Sequence, residues 1–231
     1  LERKSITDFG RILTCDDSLT FEASSIEDLT RRYKKSPSSL TPVGLSHTMM
    51  GQSIPFGRSA IKRVGDDFIK IEKDCVIVSS HTTVLDLDNF LEASGYETPV
   101  SPDHRELTIG GVLSVGGYDP MSLRRGGLVD SVKSLVIVDK EGSTYETEDR
   151  KFLCTLGKNG FIWDAKIQLS PLREEVSCDS FDIDYPEFVE KIPKMINDKK
   201  IAGFHFGKDF SGSRLETIRS DGLGQKIVTK Y

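Results

Sequence analysis

A glycine-rich segment at residues 107–117 is the first stretch whose residue types suggest chemistry. Its sequence, LTIGGVLSVGG, contains two Gly-Gly pairs, and its side chains offer only the hydroxyls of Thr108 and Ser114. Glycine lacks a Cβ atom and accepts positive φ, so main chain can pass very close to a ligand. A row of free backbone amides in that setting binds anions such as a pyrophosphate. The alternative on glycine content alone is a tight bend or bulge between strands.

Two other loops carry residues of the same kind. Residues 41–53 are rich in small and hydroxyl side chains and contain His47, and residues 156–160 contain the pair Gly157 and Gly160. Both loops follow patterns that predict regular structure. We therefore expect the three glycine-containing segments to be held together by the sheets and helices around them.

The pattern along the chain predicts an α+β fold. Helices are predicted after the capping residues Ser25 and Thr83, which have Asp28 and Asp86 in the capping-box position. Alternating or continuous apolar runs predict strands at residues 19–23, 68–71, 75–78, 132–139, 143–147 and 161–169. After residue 171 a strand, a helix and two strands are predicted at residues 176–183, 186–197, 202–206 and 214–219.

Composition excludes several functional classes. The 231 residues carry a net charge of −5 and no basic stripe with interleaved aromatic residues, which argues against a nucleic-acid partner. No apolar run is long enough to span a membrane. The cysteines (Cys15, Cys75, Cys154 and Cys178) are too far apart to form a zinc motif or a dense disulfide framework, so a cytoplasmic location is the default expectation.

Four stretches in order make the chain resemble the FAD-binding domain of the vanillyl-alcohol-oxidase / p-cresol-methylhydroxylase superfamily, most closely its cytokinin-dehydrogenase branch. They are TDFGRI at residues 7–12, GLSHTMMGQ at 44–52, DHRELTIGGVLS at 103–114 and LGKNGFIWDAKI at 156–167. The second is similar to the branch's G-x-G-H-S-x-M-G-Q loop, and the third to its D-x-x-x-L-T-V-G-G-x-L-S segment. The spacing differs from the G-x-G-x-x-G of a Rossmann domain.

The resemblance implies an FAD-binding domain of two α/β subdomains at residues 1–172. It places the FAD pyrophosphate on backbone amides of residues 44–52 and 110–114, with hydroxyls as further donors. It also implies that main-chain groups of Ile162 contact the adenosine end of FAD. The cofactor contacts that it implies are Gly44, Ser46, His47, Thr48, Gly51, Gln52, Asp103, Thr108, Gly110, Gly111, Ser114, Gly160 and Ile162.

Two of these positions carry chemistry beyond binding. His47 stands where many relatives attach the flavin covalently through a histidine, and the other two options are non-covalent FAD and lost FAD. Ser46 departs from the pattern because it replaces the second glycine of the loop. Asp103 matches a carboxylate that lies near the flavin and accepts a proton in the cytokinin-dehydrogenase branch. The alternative for Asp103 is the start of a turn.

The function implied is an FAD-dependent oxidoreductase, an oxidase or dehydrogenase that transfers a hydride from a small organic substrate to flavin N5. Residues 173–231 are expected to be a truncated or reduced substrate domain. A partner chain or a homo-oligomer would then complete the substrate pocket. The alternatives are a non-redox protein on the same scaffold, with structural or lost FAD, and one half of a hetero-oligomeric flavoenzyme joined through the strand edge at residues 202–206.

Overall fold

Helices and strands are mixed along the chain, which confirms the predicted α+β class. The computed structural model describes residues 3–35, 40–173, 177–198, 201–209 and 212–219. The first elements are β1 (Arg3–Thr7), β2 (Thr14–Ala23), α1 (Ile26–Lys35), β3 (Leu40–Pro42), β4 (Ser59–Arg63), β5 (Ile69–Glu72), β6 (Cys75–Ser79), α2 (Val84–Ala93) and β7 (Tyr96–Glu97). They are followed by α3 (Ile109–Leu113), α4 (Ser122–Arg125), β8 (Val132–Asp139), β9 (Thr144–Thr147), β10 (Gly160–Gln168), β11 (Ser170–Pro171), β12 (Ser177–Asp182), α5 (Tyr185–Asn197), β13 (Ile201–Asp209) and β14 (Gly212–Arg219). Short 3₁₀ turns lie at Leu128–Ser131 and Arg150–Phe152.

A five-stranded antiparallel sheet in the order β5-β6-β10-β8-β9 forms the centre of the fold. Successive side chains of a strand point to opposite faces, and both faces of this sheet are buried. Ile137 and Ile162 belong to a core that also contains residues of α2 and α3, whereas Val138 and Phe161 belong to a second core with α1. Burial on both faces explains the continuous apolar runs at residues 135–138 of β8 and 161–163 of β10.

A smaller four-stranded sheet, in the order β1-β2-β4-β3, lies on the second face. Its strands β2, β4 and β3 are parallel, and β1 joins β2 antiparallel. Helix α1 contributes Leu29 and Tyr33 to the shared core, and burial raises the pKa of the Tyr33 phenol far above its usual range. The loop of residues 43–58 leaves this sheet between β3 and β4 and leads to the cleft described below.

Most local predictions in this part of the chain are confirmed. The amide of Asp28 donates to Ser25 Oγ at 3.2 Å, and that of Asp86 donates to Thr83 Oγ1 at 3.1 Å, as expected for two capped helices. The strands predicted at residues 68–71 and 75–78 are β5 and β6, which pair as an antiparallel hairpin, and the predicted strand at residues 132–139 is β8. Strand β2 is longer than predicted because it begins at Thr14 instead of Leu19. Ile109–Leu113 of the glycine segment form the helix α3, so the alternative of a bend is wrong for the first Gly-Gly pair, whereas Gly116 and Gly117 follow the helix with positive φ.

The last part of the described chain forms a separate small layer. Strands β12, β14 and β13 make an antiparallel sheet, and Phe188 and Met195 of α5 pack with Ile183 in a core of their own. Arg124 joins this layer to the rest, because its guanidinium donates to several main-chain oxygens there, including that of Ile201 at 3.0 Å. The predicted strand–helix–strand–strand order is therefore confirmed, while the division of the chain at residues 172 and 173 stays a prediction.

Among the described helices, none combines the length and apolar character needed to cross a bilayer.

Candidate functional site

A cleft of about 670 Å³ lies where the three glycine-containing segments meet. This volume is within the range of small-molecule and cofactor sites. The cleft is lined by residues 42–49, the end of β4 with residues 64–65, the turn at Ser80 and His81, and parts of residues 107–115 and 156–162. All but two of the residues predicted to contact a cofactor line it. The exceptions are Gly51 and Asp103.

Residues 44–48 all line this cleft. Within the described part of the chain, no acceptor takes a hydrogen bond from the amides of these five consecutive residues. Main chain can come this close because Gly44 lies against Thr108, whose hydroxyl oxygen would be struck by a Cβ atom. Such a row of amides suits an anionic ligand.

The same loop is held in shape by its own polar side chains. The Thr48 and Ser53 hydroxyls are 2.8 Å apart, and the amide of Met50 donates to Gln52 Oε1 at 3.1 Å. Ser46 has a φ of 59°, a left-handed conformation that favours glycine. The residue that departs from the family pattern therefore occupies a position where glycine would be less strained.

The second glycine segment uses its amides differently from what was predicted. In α3 the amide of Ile109 donates to the carbonyl oxygen of Thr82 at 2.9 Å, and that of Gly110 donates to Ser80 at 2.8 Å. Thr108 caps the helix, since its side chain accepts from the amide of Gly111. The expected row of free amides is thus not present in residues 109–111, because neighbouring carbonyls and the cap already take these donors.

The hydroxyl of Ser114 is also engaged, since it donates to the carbonyl oxygen of Gly110 at 2.7 Å. Gly110 itself is required for packing, because a Cβ atom there would lie 2.9 Å from Ser80 Cβ. Gly111 faces outward with only the Thr108 hydroxyl nearby. At this wall a ligand can therefore come close to the main chain beside Gly111, but it finds few free hydrogen-bond donors there.

The third segment forms the far end of the cleft at the start of β10. Gly160 has a φ of 154°, and a Cβ atom there would lie 2.6 Å from the carbonyl oxygen of Val138 on β8. The side chain of Ile162 is buried in the core below. What Ile162 can present to the cleft is therefore main chain, as the sequence comparison implied.

His47 lies at the opposite end, in a cluster of rings. Its imidazole centroid is 4.7 Å from that of His104 and 5.2 Å from that of Phe9. Burial and then the neighbouring His104 lower the pKa of His47 below its usual range, while Glu106 acts in the opposite direction. Its Nδ1 atom is buried and has no hydrogen-bond partner among the described residues.

Asp103 is exposed and lies on the side of this segment that faces Asp119. Burial raises the pKa of Asp119, and the charge of Asp103 adds to that shift. The carboxylate that acts on His47 is instead Glu106, which the sequence did not single out. The available signal was the presence of a second carboxylate, Glu106, two residues after His104 in the same short segment.

His81 is a second residue that sequence reasoning missed. It lines the cleft next to the row of amides, with Nε2 3.1 Å from the carbonyl oxygen of Gly65 and 3.3 Å from Asp67 Oδ1. Its Nδ1 atom is buried and also lacks a partner in the described chain. A buried polar atom of this kind at the wall of a cleft suits contact with a bound ligand.

Comparison with known proteins gives two matches. The profile of a family described as an FAD binding domain matches residues 20–148. Cytokinin dehydrogenase 3 from Arabidopsis thaliana is 30% identical over 214 residues, a match that covers 83% of this chain and 40% of that protein. The chain thus spans about 40% of the length of the curated relative that it matches. The profile match includes two of the three segments that border the cleft, residues 44–52 and 107–117.

Proposed function

The chain belongs to the FAD-binding domain family, and we propose that it is the FAD-holding part of an oxidoreductase that takes a hydride from a small organic substrate. The observation that carries this proposal is the row of amides at residues 44–48, which lack acceptors in the described chain and line the cleft beside His47. Bound FAD supplies the hydride acceptor, flavin N5, for a C–H bond next to nitrogen or oxygen.

Residues 44–48 hold the pyrophosphate in this proposal. Their amides have hydrogen atoms to donate, and the charge of a pyrophosphate strengthens such bonds. The Thr48 hydroxyl adds a donor on the same wall. In contrast, α3 positions the ligand by contact at Gly111, because the amides of residues 109–111 are already taken.

His47 holds the flavin end. Because burial and His104 lower its pKa, the imidazole is neutral near pH 7 and keeps a free electron pair on one ring nitrogen. A neutral imidazole is the form that can bond covalently to a flavin, and we propose that His47 would hold FAD in this way, with the imidazole N–H and a flavin C–H each giving up a proton and the two electrons leaving through the flavin to its electron acceptor. The bond would fix the ring next to residues 103–106.

Asp103 accepts the proton that the substrate releases from its N–H or O–H group. Its position on the short segment that also carries His104 and Glu106 supports this role, since that segment lies beside His47. Its exposure lets a substrate reach the carboxylate from solvent. Glu106 is the matched carboxylate on the same segment, and comparison of the two decides which accepts the proton.

Another polypeptide surface, from a partner chain or a second copy, completes the substrate pocket. Selective hydride transfer needs a covered and mostly dry face over the flavin. Exposed apolar side chains instead border the flavin end. Phe9 touches His47, and the exposed Met49 and Met50 come shortly after His47 in the loop. Molar mass measured by light scattering over a range of concentrations tests this part, and a monomer at every concentration contradicts a second copy.

The visible spectrum of the purified protein, before and after acid precipitation, tests the cofactor proposal. We expect a yellow protein whose colour stays with the pellet, and a His47→Ala variant whose colour is released. Colour released from both proteins would show FAD held without the bond to His47. A colourless protein that takes up no added FAD would overturn the proposal.

Flavin bleaching under anaerobic conditions tests the proton acceptor. With a panel of small amines and alcohols, Asp103→Asn should bind FAD but lose most of the bleaching that the parent protein shows, typically on the order of 10²–10⁴-fold in rate. Glu106→Gln is the matched comparison and should bleach at a rate close to that of the parent. The reverse result would assign the proton to Glu106, and bleaching retained in both variants would remove the role from this segment.

A further inference from the structure

We propose that His47, His104 and Glu106 form a binding site for a divalent transition metal ion. Each residue offers one ligand atom, and these atoms all lie within 4.8 Å of one another. In the part of the chain that the structure describes, they are the single group of three or more such residues. Two imidazoles and a carboxylate are ligands that zinc accepts, with one position left open for water or a small ligand.

The packing of the rings supports this assignment. Phe9 lies against both histidines, 5.2 Å from the centroid of His47 and 6.0 Å from that of His104. The two imidazoles meet edge to face with an interplanar angle of 68°. The two imidazoles thus lie next to each other before any metal binds, and a small rotation can bring a nitrogen atom of each to a common ion.

The buried Nδ1 atom of His47 is a second, independent observation. It is shielded from solvent and has no hydrogen-bond partner among the described residues. Buried polar atoms are satisfied in the great majority of cases, and a bound ion is one of the ordinary explanations for an exception. A metal ion bound directly to Nδ1 of His47 would satisfy this atom.

The remaining distance can be closed by side-chain motion alone. Ligand atoms around a tetrahedral zinc ion are roughly 3.3 Å apart when the bonds are about 2.0–2.1 Å long. His104 and Glu106 are exposed, so their side chains can rotate by the ångström or so that is needed. The nitrogen donors favour zinc, cobalt, nickel or copper over magnesium and calcium, which prefer oxygen ligands.

The site has a consequence for the cofactor, which rests on the proposed bond between His47 and flavin. One imidazole cannot easily serve both as a ligand in this cluster and as the point of flavin attachment, because both bring a bulky group to the same ring. Metal bound here would therefore oppose flavin attachment. The metal-binding proposal itself does not depend on flavin.

Calorimetric titration with zinc sulfate tests the site on the full chain prepared flavin-free from a riboflavin-limited host. We expect one zinc ion per chain, and a visible absorption band from bound cobalt when Co²⁺ is used in its place. His104→Ala and Glu106→Gln should each weaken binding by at least about tenfold, the loss that even changes outside the ligand shell cause. Because both side chains are exposed, these variants should keep the far-ultraviolet circular dichroism of the parent.

The matched controls are His81→Ala, a histidine of the same cleft outside the cluster, and Glu141→Gln, an exposed carboxylate on a distant turn. Both should bind zinc as the parent does. The proposal is overturned if the parent binds no zinc, or if His104→Ala and Glu106→Gln bind it as tightly as the controls. A failure of flavin to attach would leave these titrations unchanged, so the two proposals can fail separately.

Discussion

The two glycine-containing regions that border the cleft use their backbone amides in opposite ways. At residues 44–48 the amides find no acceptor in the described chain and line the cleft, whereas those of Ile109, Gly110 and Gly111 donate to neighbouring protein oxygens. Residues 41–53 contain two glycines and residues 107–117 contain four, so the segment with fewer glycines is the one whose amides lack acceptors. The difference shows that glycine marks a place of close approach, while the carbonyls that lie nearby decide whether an anion can bind there.

The glycines themselves also differ in what they approach. Gly44 lies against the Thr108 hydroxyl, so it holds the two regions together, whereas Gly110 lies against the main chain and Cβ of Ser80 and holds α3 on the central sheet. Gly111 faces outward. Adjacent glycines of one motif therefore serve packing and ligand approach separately, and substitutions can distinguish the two.

Gly110→Ala should have the largest effect on stability. Its methyl group would lie 2.9 Å from Ser80 Cβ and 3.1 Å from the Ser80 carbonyl oxygen, an overpacking that costs about 1–3 kcal/mol. Gly111→Ala is the matched control and should cost less, because its methyl group would meet only Thr108 Oγ1, at 3.0 Å, and the helix preference of alanine offsets part of that close contact. Urea denaturation of both variants checks this.

FAD affinity should show the reverse order, with a larger loss in Gly111→Ala than in Gly110→Ala. The Gly111→Ala methyl group projects beside the cleft, and we expect roughly tenfold weaker FAD binding, which corresponds to about 1.4 kcal/mol. Fluorescence titration with FAD on a His47→Ala background measures this without the covalent bond. An unchanged affinity would show that α3 does not contact the ligand.

Thr108→Val should have an intermediate effect on stability. It keeps the shape of the side chain but removes the cap of α3, which typically costs about 1 kcal/mol. Ser25→Ala removes the cap of α1 at a similar cost and serves as the control, because Ser25 is not among the residues that line the cleft. We expect only Thr108→Val to weaken FAD binding as well. Equal FAD affinity in both variants would contradict a role of the Thr108 cap in the site.

Ser46→Gly should have the smallest effect and the opposite sign. Relief of the left-handed conformation at Ser46 is worth roughly 1–2 kcal/mol in the folded state, part of which is offset by the greater freedom of glycine in the unfolded chain. We therefore expect a slightly higher melting temperature. FAD affinity should rise or stay constant, and a marked fall would show that the Ser46 hydroxyl binds the cofactor.

The sequence was sufficient to predict the elements whose stability is local. Helix caps at Ser25 and Thr83 and the apolar strand β8 follow from side-chain types a few residues apart. It was not sufficient for the state of the amides in residues 109–111, because their acceptors, Ser80 and Thr82, lie about thirty residues earlier and come near only through the tertiary fold. The proximity of Glu106 to His47 was missed for the same reason.

The central position of β10 has a consequence for the order of events during synthesis. β10 lies between β6 and β8, so the hairpins β5–β6 and β8–β9 are joined in one sheet only by a strand that is made after both. An isolated hairpin is marginally stable in water. Until residue 168 has left the ribosome, the apolar faces of both hairpins are exposed, so the nascent chain passes through an interval in which we expect it to need chaperone protection.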